Sequence, residues 1–308
     1  MLNRVLIRIK ILQILYAFYQ SGDNNLQAAE NETLFSLRKS YDLYMLFLNL
    51  IVRVTNLQER LIDKRRNKYQ PTPEDLSPNM KFVNNRFARQ LSGNKELLRY
   101  MREQKISWDN DESFLDDVLA LVLKSQEYEA YMSNAEESYE EDKNLWRDIF
   151  KQYICENEEL ADYLEGCSIY WNDDIAIVAS YTLKTIKQFS ESEGVHQELL
   201  PMFKDQEYHL FAVQLLRKSI FNCTEYREMI RRHARNWENE RISTTDIIIA
   251  QMAIAEILTF PSIPVSVSLN EYIDIARQYS TPKSPQFVNG LLDAIVIELR
   301  RENRIMKG

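Results

Sequence analysis

Apolar side chains recur three and four positions apart over most of this 308-residue chain, and only 6 glycines and 8 prolines interrupt them. That spacing lines one face of a helix, and so few breakers predict helices joined by short loops. Residues 3–19 read as one helix, with Val5, Ile9, Leu12, Tyr16 and Tyr19 in register and Ser21-Gly22-Asp23-Asn24 as its stop. A long amphipathic helix is expected from about Glu32 to Asn67, closing on the basic run Lys64-Arg65-Arg66-Asn67-Lys68. Pro71, Pro73 and Pro78 mark a connector. Shorter helices should fill 80–200, parted near Ser92-Gly93-Asn94, Trp108-Asp109-Asn110-Asp111, Asn157, Asn172-Asp173 and Glu193-Gly194. Two more, over about 205–222 and 224–236, lead into the last quarter.

The last quarter has the clearest pattern. From Ser243 to Leu258, Ile247, Ile248, Met252, Ala255 and Leu258 form an apolar stripe broadened by Ile249 and Ala253, which predicts a buried, central helix. Pro261 and Pro264 enforce a turn after it. Val265-Ser266-Val267 is expected to be extended, and Ser268 with Glu271 has the spacing of a capping box that opens the next helix. Thr281-Pro282 ends that helix, and Ser284-Pro285 has the form of a cap followed by proline at the first helical position. The final helix should bury Val288, Leu291, Leu292, Ile295 and Leu299. Gly290 is costly inside it unless a helix or a ligand packs against the backbone there.

Composition changes this picture little, but charge does. The net charge of -8 is unevenly spread: residues 1–108 hold 18 Lys/Arg against 10 Asp/Glu, and residues 109–165 hold 4 against 18. The basic third could meet nucleic acid, whereas the acidic block would repel it or serve as the solvated face of surface helices. No apolar run is long enough to span a bilayer. Arg4, Arg8 and Lys10 are interleaved with apolar residues instead of preceding them, unlike a signal peptide, so a cytoplasmic location is expected. Cys155, Cys167 and Cys223 are too widely and irregularly spaced for a disulfide framework or a zinc knuckle.

Candidate chemistry is binding, not catalysis. The chain has no Gly-rich phosphate loop, no His-Glu-x-x-His, no Cys-x-x-Cys and no Gly-x-Ser-x-Gly. His196, His209 and His233 are scattered, and carboxylate pairs such as Asp116/Asp117 or Glu140/Glu141/Asp142 lie in polar surroundings. The expectation is a non-enzyme without cofactor or metal. Three basic clusters are candidates for nucleic acid: Arg4/Arg8/Lys10, Lys64 to Lys68, and Arg231/Arg232/Arg235. Arg4 and Arg8 share a helix face and could reach successive phosphates; taken alone, each cluster fits a solvated helix end better than a binding site. Phe287 reads either as a core aromatic or as a platform for an unstacked base.

Several linked segments carry a family resemblance. Arg8 followed by Leu12-Gln13-Ile14-Leu15-Tyr16, then Ile263-Pro264, Asn270-Glu271 and Phe287-Val288-Asn289-Gly290-Leu291-Leu292-Asp293, resemble in order the core of the NusB family of transcription antitermination factors. The resemblance implies an all-α, NusB-like helical bundle. Residues 1–24 and 205–308 would form the RNA-binding core, and 25–204 a large inserted helical subdomain of unknown role, as in enlarged members. It implies binding of a boxA-type single-stranded RNA element together with NusE, a small-subunit ribosomal protein, and action on the RNA polymerase elongation complex to promote read-through during ribosomal RNA transcription. By resemblance, Arg4, Arg8 and Lys10 would be backbone contacts, Lys283, Gln286 and Phe287 a second RNA-facing patch, and Glu256 part of the partner surface.

Two other classes compete. The same helical domain precedes some ribosomal RNA cytosine methyltransferases, but those need a following nucleotide-binding-type domain and a glycine-rich loop, neither of which this sequence shows. A helical protein-interaction scaffold that has lost RNA binding is the alternative that the sparse N-terminal charge supports. Mutation of Arg4, Arg8 and Phe287 would separate it from the RNA-binding reading.

Overall fold

The computed structural model describes residues 1–22, 25–155, 157–234 and 242–305. In chain order the α-helices are α1 (Arg4–Ser21), α2 (Leu26–Arg66), α3 (Pro73–Leu76), α4 (Arg86–Ser92), α5 (Lys95–Gln104), α6 (Glu112–Lys124), α7 (Gln126–Ser133) and α8 (Tyr139–Ile149). They continue with α9 (Glu158–Cys167), α10 (Ile175–Gln188), α11 (Gln206–Phe221), α12 (Cys223–His233), α13 (Thr244–Thr259), α14 (Val265–Tyr279) and α15 (Ser284–Arg301). A π-helical turn over Phe150–Ile154 extends α8, and a 3-10 turn covers Glu191–His196. The fold is all-α; the nearest approach to a sheet among the described residues is a lone parallel bridge between Leu2 and Phe203. Two compact units divide the chain, one of Met1 with Arg38–Met202, the other of Leu2–Leu37 with Phe203–Gly308.

In the second of these, α13 is the hub. Ile248 through Ile257 are all buried, so every side of the helix is covered, by α1, α11, α12, α14 and α15. Ser243 caps α13 by accepting the Asp246 N–H at 3.0 Å. Asn3 accepts the Leu6 N–H at 2.9 Å to start α1, and Gly22 closes it at φ 67°, a left-handed conformation that favours glycine. Buried Gln251 ties three elements together: its amide donates to Tyr19 Oη at 2.6 Å and the Ser219 carbonyl at 2.7 Å, and accepts from Arg227 Nε at 3.1 Å.

The turn after α13 departs from expectation. Pro264 holds extended dihedrals (φ -58°, ψ 144°) and serves as the cap, so Val265-Ser266-Val267 is the first turn of α14 and not an extended segment. Proline supplies a φ already suited to helix initiation, and that outweighs the weak β preference of two valines. Ser268 therefore lies inside the helix and makes no capping box; its hydroxyl points into the core. Ser284 likewise does not cap α15. Its hydroxyl donates to Asp246 Oδ2 at 3.0 Å and accepts the Thr281 N–H at 3.1 Å, tying the start of α15 to α13. Gly290 is exposed.

In the unit of residues 38–202, the central stretch of α2 plays the part that α13 plays above. Tyr44, Phe47, Leu50, Ile51 and Val54 are all fully buried. Trp108 Nε1 donates to the Leu46 carbonyl at 3.0 Å, Trp171 Nε1 to the Lys39 carbonyl at 2.8 Å, and Ser40 Oγ to buried Asp174 at 2.5 Å. α2 begins six residues before its expected start because Asn25 accepts the Ala28 N–H at 3.0 Å and nucleates an earlier turn. The proline connector contains α3, fixed by a reciprocal capping box between Thr72 and Asp75. Most of the acidic block is solvated, as Asp116, Asp117, Glu136, Glu137 and Glu140 show. Asp142 is the exception: it is buried, accepts the Arg86 N–H at 2.7 Å and the Tyr131 hydroxyl at 2.5 Å, and burial raises its pKa.

Candidate nucleic-acid interface

Two of the residues expected to face different ligands face each other. Arg8 of α1 is 2% exposed and Glu256 of α13 is 0% exposed. They form a bidentate pair, Nε to Oε2 at 2.7 Å and Nη2 to Oε1 at 2.8 Å. Arg8 Nη1 reaches Glu271 at 3.1 Å. Ser268 Oγ donates to Glu256 Oε1 at 2.7 Å and Tyr272 Oη to Oε2 at 3.0 Å, so both carboxylate oxygens carry two hydrogen bonds each. The guanidinium also lies over the rings of Phe211 (5.5 Å) and Tyr272 (5.8 Å).

Burial alone would lower the Arg8 pKa, but the Glu256 hydrogen bond and the neighbouring carboxylates outweigh it and the net shift is upward. Burial next to Glu256 drives the Tyr272 phenol far above its ordinary range. The guanidinium therefore stays charged and the phenol neutral, and Glu256 accepts hydrogen bonds from both. A buried charge is tolerated in this fold because its hydrogen-bonding groups are matched.

This geometry corrects part of the expected site. Arg8 has no surface left for a phosphate, and Glu256 none for a protein partner; both are core residues joining α1, α13 and α14. Lys10 is 1% exposed and is equally withdrawn from solvent. Phe287 is 5% exposed and belongs to the buried face of α15 with Val288 and Leu291, the core reading of that aromatic. Arg4 does share a face with Arg8, and both lie over Phe211. It is half-buried and paired with Glu207 of α11 at 2.6 Å. Lys283 and Gln286, at the start of α15, are exposed.

Of the other basic clusters, Arg232 and His233 both engage Glu298 of α15, whose carboxyl is held below its usual range chiefly by the His233 hydrogen bond. Arg235 lies outside the described residues. Lys68 pairs with Asp75 at 2.6 Å, and exposed Lys64 and Arg65 end α2. Among the described residues no group of three or more His, Cys, Asp or Glu side chains is placed to hold a metal. No described helix is long and apolar enough to cross a membrane.

Sequence reasoning missed Glu271, Tyr272 and Phe211 as partners of Arg8, and Ser268 as a partner of Glu256. The signal was present: Arg8 stands among Leu6, Ile7, Ile9 and Ile11, and Glu256 among Ala253, Ile254, Ala255 and Ile257. A cation and an anion, each flanked by apolar residues, are complementary because neither can be buried unpaired.

Helices α1 and α11 to α15 form an all-helical module built round one apolar hub helix, α13. Residues 174–296 match the NusB family model. Curated proteins named transcription antitermination protein NusB match as well. That of Salinibacter ruber is 37% identical over 131 residues, which are 41% of this chain and 82% of the relative. That of Koribacter versatilis is 37% identical over 100 residues, or 32% of this chain and 68% of the relative. That of Chloroherpeton thalassium is 39% identical over 131 residues, or 42% of this chain and 61% of the relative. The chain belongs to the NusB family and is an enlarged form of it, since the matched part is less than half of its length. No solved structure matches it significantly.

Proposed function

We propose that this protein is a transcription antitermination factor that binds a boxA-type single-stranded RNA element together with NusE and acts on the RNA polymerase elongation complex in the cytoplasm. The observation that carries this reading is the match to relatives named as antitermination proteins, which spans 82% of the Salinibacter ruber protein. The mechanism needs no covalent step: phosphate contacts position the strand and exposed bases supply the readout. Arg4, Lys283 and Gln286 are the RNA-facing set, being the members of the expected site that keep contact with solvent. Arg8 and Glu256 act behind them by fixing α1 on α13. In this reading residues 25–204 are an insertion into the family core.

Fluorescence anisotropy of a labelled boxA-type RNA, with and without NusE and at two salt concentrations, tests the proposal. Salt-sensitive binding that tightens with NusE and exceeds that of a scrambled RNA is the expected result. Equal binding of the two RNAs would overturn it, and no binding of either would favour the scaffold alternative, which the burial of Arg8 and Lys10 supports.

A further inference from the structure

The unit of residues 38–202 contains a cleft that is built more firmly, and charged more openly, than the expected RNA site. One wall is α5. Lys95, Arg99 and Arg102 fall four and three residues apart on it, so their side chains leave one face at intervals of about 6 and about 4.5 Å along the axis. All three are exposed, and none makes an ion pair or side-chain hydrogen bond among the described residues. The other wall is formed by Val195, His196 and Gln197, and the cleft between measures 490 Å³.

That second wall is stitched in place. Gln90 Nε2 donates to the carbonyls of Ser190 (2.9 Å) and Gly194 (2.8 Å), and Asn94 Nδ2 to that of Gln197 (2.7 Å). Glu96, the one carboxylate lining the cleft, is turned away to accept the Leu199 N–H at 3.1 Å. Gly194 (φ 52°, ψ -138°) makes the bend, and the wall comes so near α4 that a Cβ on Gly93 would lie 2.9 Å from Val195 Cγ1. The lining is mixed: beside the three cations, Leu98 is 51% and Val195 37% exposed, with the imidazole of His196 also in solvent.

We propose that this cleft binds the phosphodiester backbone of a single RNA strand. The cations, spaced about one helical turn apart, meet successive phosphates, and His196, Leu98 and Val195 offer surfaces on which unstacked bases rest. A duplex would hide those bases, and an acidic peptide would leave the apolar surfaces unused. Backbone contacts carry no sequence information, so the cleft would lengthen the grip on a nascent transcript without altering which element is recognised. The inference rests on the reading of the protein as an RNA binder.

The test uses the full chain and labelled oligouridylate U12, which lacks any boxA element. Three proteins are compared: wild type, Lys95→Gln/Arg99→Gln/Arg102→Gln, and Lys95→Arg/Arg99→Lys/Arg102→Lys, which keeps the charge. The neutral triple should bind U12 about tenfold more weakly at low salt. Its log Kd against log salt slope should fall by about 2, from three lost phosphates at roughly 0.7 each, while the charge-keeping triple retains the slope. An unchanged slope in the neutral triple, no U12 binding by wild type, or equal competition by polyglutamate would each overturn the proposal. U12 binding lost in the neutral triple without boxA preference in wild type would sink the antitermination reading alone. Preference for boxA-type RNA with an indifferent triple would sink the cleft alone.

Discussion

Arg8 and Arg99 are the same side chain put to opposite uses. Arg8 sits on a helix whose neighbours are apolar, and its charge is consumed by Glu256 and Glu271 within the fold. Arg99 sits on a helix with one exposed face, and no carboxylate answers it. The N-terminal cluster was the better candidate by motif, the α5 cluster by geometry. The difference teaches that a count of basic residues says little about anion binding until each cation has been assigned a partner. Desolvation decides which: a buried guanidinium must be paired, whereas a solvated one is at liberty.

The largest expected effect comes from breaking the buried pair. Glu256→Gln leaves the Arg8 charge with a weaker partner and should cost about 3–5 kcal/mol, seen as a lower urea midpoint. The double change Arg8→Met/Glu256→Leu should recover much of that loss, because an apolar pair of similar volume needs no desolvation. If the double variant is less stable than Glu256→Gln, the cluster holds α1 through geometry that apolar packing cannot replace. Next in size, Lys283→Ala with Gln286→Ala should weaken boxA-type RNA binding by about 1–3 kcal/mol while leaving the U12 salt slope intact. A common loss on both RNAs would erase the contrast between the two surfaces. Asn3→Ala removes the cap of α1 and should cost about 1 kcal/mol, measurable in the same denaturation series. The smallest effect concerns acid. Glu298 has a depressed pKa in the folded state, so its contribution is present above its unfolded value near 4.5 and is lost as pH falls through the folded value. Glu298→Gln should therefore flatten the acid limb of the thermal midpoint against pH; an identical limb would assign that slope to other carboxylates.

Helix order was legible because the apolar period is local. α13 announced its central place by having no polar side, and α11 and α15 began within a residue or two of expectation. Val265–Val267 was misread because the dihedrals of Pro264 and the packing of Ser268 against Glu256, neither visible in a propensity, decided the conformation. The candidate site was less legible than the fold. Resemblance pointed to Arg8 and Glu256 singly, yet their roles depend on each other across 248 positions of sequence. The α5 cleft was invisible for a related reason: its second wall comes from residues about a hundred positions downstream, held by Gln90 and Asn94.

That separation of 248 positions also has a consequence in time. At roughly 5–20 residues per second, α1 leaves the ribosome about 10–50 s before the helix that carries Glu256. Through that interval residues 38–202 are made in full, while Leu6, Ile7, Ile9 and Ile11 have no hub helix to pack on. A newborn chain of this protein therefore carries an apolar helix that must be shielded by a chaperone or by transient burial elsewhere. Its yield on synthesis should depend on translation speed.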